Sequence, residues 1–212
     1  MTEHIDNIRL NGDLRYRFDY LSKFVNFSQN DIAALNTLAT TVLPRVPVIV
    51  DAVYRKLFQF DVTKNFFVLR NDGFDGKLKD EQSLTLESAQ MTYRKDMLSG
   101  YLKRLFLQQE WTDDFLQYLS RVGRMHTNKM GAASINVDFI HINATLSYIE
   151  TLLIEVVWNA ETLDSKTKKE MLMALNKVFR IQNDFFLLHY LEPAKEDEPP
   201  RHRKRTDKCA CS

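Results

Sequence analysis

The stretch Phe115-Leu-Gln-Tyr-Leu-Ser-Arg-Val-Gly-Arg-Met-His126 decides how this chain is read. Phe115, Leu119, Val122 and His126 stand four, three and four positions apart, so in a helix they share one face. That face is apolar up to its last member, an imidazole. Two readings of His126 follow. Either it is a core or rim histidine whose ring is satisfied locally, since histidine is often partly buried. Or it is an axial metal ligand projecting into an apolar cavity. The rest of the chain has to decide between them.

Outward from this stretch the pattern stays helical. Six glycines and five prolines among 212 residues, with little strict alternation, predict an all-α protein. The first helix is expected over 13–25. Ser28, with Asp31 three positions on, resembles an N-terminal cap; the helix it opens carries Ile32, Leu35, Leu38 and Val42 on one face until Pro44 stops it. A third helix is expected over 45–59, with Val46, Val50, Val53, Tyr54, Leu57 and Phe58 as its stripe. Asp61 or Thr63 then caps a short turn ending in Phe66 and Phe67. The segment 70–82, charged and containing two glycines, reads as a loop. A long helix is expected over 84–108, and Glu110 or Thr112 opens the one that leads to His126. The segment 127–136 breaks it. The next helix, 137–158, is apolar on more than one face and is expected to be central and buried. A last helix is expected over 165–191.

The bulk numbers exclude several classes. The composition is 44% hydrophobic and 27% charged, ordinary for a globular chain, and a formal net charge of +1 gives no case for nucleic acid. Cys209 and Cys211 are the two cysteines, so the rest of the chain has no disulfide framework. No signal-like segment follows the polar start, and no run reaches the roughly 20 apolar residues of a membrane span. A reducing, cytoplasmic setting is expected. Phosphate loops, nucleotide-binding glycine fingerprints and nucleophile elbows are missing, so the chain is not read as an enzyme.

The expected division is an N-terminal segment 1–12, one domain 13–192 and a polar, charged tail 193–212. The tail ends Cys209-Ala-Cys-Ser212, which fits C-a-a-X, behind the basic residues Arg201, Arg203, Lys204 and Arg205. Prenylation of Cys209 with peripheral membrane contact is one expectation, because a basic patch adds about 1 kcal/mol per charge to a weak lipid anchor. A solvated tail or a nuclear localisation signal is the other.

Among the remaining candidates, Tyr54 lies inside an apolar stripe. It is either a core tyrosine bonded to a backbone carbonyl or a hydroxyl aimed at a ligand. Phe66 and Phe67 are either core or the wall of a cofactor site. His126 has no cysteine or second histidine at zinc-ligand spacing. His4 and His202 are near the chain ends, packing or helix-end capping suffices for His189, and His141 is expected to support the loop after His126.

Several of these features together resemble the protoglobin and globin-coupled-sensor branch of the globins. Val122-Gly123-Arg124-Met125-His126 is similar to the family's Ile-Gly-x-x-His. Tyr54 and Phe67 reproduce a tyrosine followed thirteen positions later by a phenylalanine near the haem. Arg17-Phe18-Asp19-Tyr20-Leu21 and Phe27-Ser28-x-x-Asp31 look like the extra N-terminal helix and the start of the first globin helix. Fungal protoglobin-like proteins share the wording of 122–129, 135–143 and 181–184. The resemblance covers 13–190.

The resemblance implies an all-α globin fold, a three-over-three helical sandwich with an extra N-terminal helix. It implies haem b, with His126 as the proximal ligand of its iron. It implies that Tyr54 faces the distal side and donates to bound O2, with Phe66, Phe67, Leu98, Tyr101, Leu102, Val122, Phe139 and Leu146 around the cofactor. Aligning the long helix requires a gap, so Leu98, Tyr101 and Leu102 all stay open as the residue over the iron. The implied function is reversible binding of O2 or another diatomic gas, CO or NO, as sensor or carrier. The alternatives are a haem enzyme such as a nitric oxide dioxygenase, and a haem-free globin-like interaction module. The tail is too short for an output domain, so signalling would pass through a partner, a homodimer or the membrane.

Overall fold

A computed structural model describes residues 2–71, 73–130 and 134–192. The tail, with Cys209 and the basic run 201–205, lies outside the described residues. These contain nine α-helices and no strand: α1 (Asn7–Gly12), α2 (Leu14–Val25), α3 (Gln29–Val42), α4 (Val46–Leu57), α5 (Asp61–Lys64), α6 (Ala89–Leu107), α7 (Asp113–Met125), α8 (Phe139–Trp158) and α9 (Ser165–Leu191).

Side chains at the helix starts set most of the boundaries. Asp13 accepts from Tyr16 N at 3.0 Å to start α2, Thr112 accepts from Phe115 N to start α7, and Asp164 caps α9 through Lys166 N and Thr167 N. Asp31 accepts from Ser28 N at 2.8 Å at the start of α3. Pro44 and Pro47 stand in the first turns of the 3-10 segment Leu43–Arg45 and of α4, where a missing N–H costs nothing. Two sequence expectations shift. Residues 7–12 form a short helix capped by Asp6, not a plain segment. The long helix starts at Ala89 and not at 84, because Leu84 satisfies the apolar pattern by plugging the core from a loop, 4% exposed.

α9 is the central element. It packs on α8, α3 and α7, while α6 packs on α3 and α4, and α4 on α8. Its buried residues Leu175, Val178, Phe179, Phe185 and Phe186 meet Leu35, Leu38, Leu119 and Leu153 in one continuous core. α2 is clamped to α9 by a two-pronged ion pair, Arg17 Nε and Nη2 to the two Asp184 oxygens at 2.5 and 2.7 Å.

The helix expected to be central and buried over 137–158 packs on α9, α4 and α3, but only one of its apolar faces is covered. α8 buries Ile142, Leu146, Ile149, Leu153 and Val157, but Ile140, Ile154 and Trp158 on its opposite face are exposed. The statement that no stretch is apolar enough for a membrane span also needs correction. By length and mean hydropathy, 29–57 and α8 both reach that threshold. Pro44 and Pro47 interrupt the first, and the second carries buried Glu150 paired with Arg180 on α9. Part of the apolar residues of each packs in the core, Leu35, Leu38, Val46 and Val53 in the first and Leu146 and Leu153 in the second.

Candidate functional site

The helices enclose a cavity of about 530 Å3, within the range of small-molecule and cofactor sites. α4 contributes Tyr54. The 3-10 turn Asn65–Val68 contributes Phe66 and Phe67. α6 contributes Arg94, Leu98 and Tyr101, which share a helix face by their spacing of four and three. α7 brings Val122, α8 brings Leu146, and His126 stands just beyond the last turn of α7.

His126 Nδ1 lies 2.8 Å from the carbonyl oxygen of Val122. A carbonyl only accepts, so Nδ1 carries the proton and donates. Nε2 is left with its lone pair at the far end of a ring that borders the cavity. Burial lowers the imidazole pKa, which keeps that lone pair free near neutral pH. The residue is also pinned through its backbone. Val137 N and Tyr190 Oη donate to His126 O at 2.8 and 3.1 Å, and Ile135 N donates to Met125 O at 2.8 Å. The ring of Phe186 meets the imidazole edge-on at 5.2 Å between centroids. Metal-ligating histidines share this feature, the other nitrogen being held by a carbonyl that fixes tautomer and orientation.

Tyr54 Oη donates to Arg94 O at 2.9 Å, tying α4 to α6. Of the two sequence readings, this is the core tyrosine bonded to a backbone carbonyl. Burial raises its pKa, so it stays a neutral donor. Tyr101, on the same wall, has a buried hydroxyl without a hydrogen-bond partner among the described residues. Leu102 and Phe139 do not line the cavity. Leu102 is one residue, about 100°, round α6 from Tyr101 and is fully buried in the core; Phe139 packs on Tyr190 at 5.2 Å. His141 lines the cavity, 6.0 Å from Phe66 between ring centroids, and does not merely support the loop. Arg94 escaped the sequence reading altogether. Its only signal was its place on the Leu98–Tyr101 face, four positions before Leu98.

His189, near the end of α9, bonds Ser120 Oγ at 2.7 Å through Nε2 and Glu192 Oε1 at 3.0 Å through Nδ1. A serine, histidine and carboxylate in this order resemble a nucleophilic triad. Ser120 and His189 are buried and neither borders the cavity. They clamp α7 to α9. Burial lowers the His189 pKa, outweighing Glu192; Arg124 and Lys129 push the same way. The unfolded chain therefore takes up this proton first as pH falls, and the stability held above about pH 6.5 is lost progressively below it. In urea titrations of the apo-protein, wild type is expected to lose more stability than His189→Gln between pH 7 and pH 5. Parallel losses assign the acid sensitivity elsewhere.

The sequence model of the protoglobin family matches residues 14–196. This chain belongs to the protoglobin family. Among solved structures, the protoglobin superposes on the globin domain of the Geobacter sulfurreducens globin-coupled sensor with a TM-score of 0.65 and 14% identity, over 82% of this chain and 97% of that one. At that identity the likeness shows the fold, which is the globin fold. No curated protein matches.

Proposed function

We propose that this protoglobin holds a b-type haem through His126 Nε2 and reversibly binds a diatomic gas, O2, CO or NO, as a sensor or carrier. The observation that carries the reading is the Val122 carbonyl on His126 Nδ1, at the edge of a cavity of cofactor size. The donor set supports it. No group of three or more His, Cys, Asp or Glu side chains converges among the described residues, so a metal at His126 would need most of its ligands from a macrocycle. When bound, the haem supplies an iron centre for diatomic ligands. The chain's own residues do the rest. His126 supplies a neutral, oriented imidazole, Phe67 and Leu98 exclude water, and Tyr54 and Tyr101 are uncharged donors beside the space that remains. The spectrum of haem-reconstituted, reduced protein with and without CO tests the reading. A Soret band that shifts on adding CO is expected, and titrated haem that stays free removes the proposal.

Tyr54 is expected to matter more for the fold than for ligand release. To reach a ligand its hydroxyl must leave Arg94 O, so one neutral hydrogen bond replaces another. A net gain of no more than about 0.5 kcal/mol corresponds to about twofold in rate. Tyr54→Phe should therefore change O2 dissociation by about twofold or less, while removing this second donor from Arg94 O, inside α6, should cost the apo-protein about 0.5–1.5 kcal/mol. Stopped-flow release and apo-protein denaturation measure the two. A tenfold faster O2 release with unchanged stability would make Tyr54 a ligand donor instead.

Two further parts of the reading concern partners. The exposed Ile140, Ile154 and Trp158 on one face of α8 support a homodimer. The sequence of the tail, with its basic run before Cys209, supports peripheral membrane attachment.

A further inference from the structure

Arg94 is 5% exposed and borders the cavity. Its Nη2 donates to two backbone carbonyls, Leu69 O at 2.9 Å and Phe66 O at 3.2 Å, and its guanidinium lies 5.3 Å over the Phe67 ring. Its Nε has no hydrogen-bond partner among the described residues. Three other sheltered cations have carboxylates: Arg17 has Asp184, Lys95 has Asp51, and Lys177 has Asp31; half-buried Lys129 is held by the carbonyls of His189 and Glu192, near the molecular surface. Among the described residues no carboxylate acts on Arg94. A guanidinium does not escape burial by losing its proton, and a buried charge without a counter-charge is costly. Carbonyl dipoles and an aromatic face hold such a cation in place without neutralising it. Among the described residues nothing neutralises it, and the cavity that it borders is open to an anion.

We infer that Arg94 is an anion receptor of this cavity, built for a carboxylate or another small oxyanion. Two sources have that chemistry: the carboxylates on the edge of a haem and a free anion of formate or nitrite type. The planar fork of the guanidinium suits either. The first source rests on the haem reading above, and the second does not.

The experiment has two arms. In the first, wild-type and Arg94→Gln apo-protein are titrated with haem and with haem dimethyl ester, whose carboxylates are masked. In the second, the melting temperature of both apo-proteins is followed against formate and nitrite, with chloride at equal ionic strength as control. For a haem-carboxylate source, wild type binds haem about tenfold or more tighter than the ester, and Arg94→Gln loses the difference. For a free-anion source, formate or nitrite stabilises wild type in a saturable way and leaves Arg94→Gln unmoved. Either result supports the receptor. Equal affinity of wild type for haem and ester, with no anion-specific stabilisation, overturns it, and that comparison needs no substitution to fold. The haem reading is judged separately. Wild type that binds haem without discriminating the ester keeps that reading and loses this inference. Wild type that binds no haem but answers formate in an Arg94-dependent way does the reverse.

Discussion

His126→Gly is expected to lower haem affinity by at least about 100-fold, and millimolar imidazole is expected to restore the Soret band in part. Removing a group that merely orients a metal ligand typically costs 10- to 100-fold, and removing the ligand itself costs more. The restoration is the discriminating part. The substitution leaves a space of imidazole shape beside Phe186 and Val122, and an added imidazole supplies the missing lone pair without repairing any backbone contact. The fold should persist, because the ties to Val137 and Tyr190 run through the His126 carbonyl and not its ring. A variant with wild-type affinity and spectrum would remove His126 as the ligand. A variant that loses haem and does not answer imidazole would mean that the ring is structural.

Much of this was legible in the sequence, for identifiable reasons. The spacing of Phe115, Leu119, Val122 and His126 correctly predicts one face of α7, because helical period is a local property. The same logic fails at Leu84, where an apolar residue at helical spacing is buried from a loop. It fails for α8 too, since apolar content does not say which face is covered. Tyr54 could be placed on its stripe but its hydrogen bond could not, because the acceptor belongs to Arg94, forty positions away. Arg94 itself reads as a solvated charge until α6 is seen to turn it inward. Pairings across long separations, such as His189 with Ser120, have no periodic signature.

The glycine in the motif before His126 has a packing reason, and it leads to the second large effect. A Cβ on Gly123 would stand 3.1 Å from Phe185 O and from Phe186 Cα and 3.3 Å from Phe186 N, all backbone atoms of α9. That helix runs 27 residues through the centre of the core and does not yield as a side-chain tip would. Elsewhere, glycine to alanine inside a helix gains about 0.5–1 kcal/mol. Gly100, exposed on α6 with nothing within 4 Å of its missing Cβ, is where that gain should appear. Gly100→Ala is therefore expected to raise the melting temperature, and Gly123→Ala to fall short of it because crowding offsets the propensity. Gly123→Val adds a Cβ and two methyls against the same backbone and should cost about 1–3 kcal/mol, as overpacking does. At roughly 2–4 °C per kcal/mol for a chain of this size, that is a fall of about 2–12 °C. Haem affinity should fall with it, because α7 can relieve the contact only by moving away from α9 and carrying the Val122 carbonyl and His126 along. Thermal melts of the three apo-variants and haem titrations of Gly123→Val measure this. If Gly123→Val melts like wild type, the close passage of α7 over α9 is not tight, and the glycine at that position loses its structural reason.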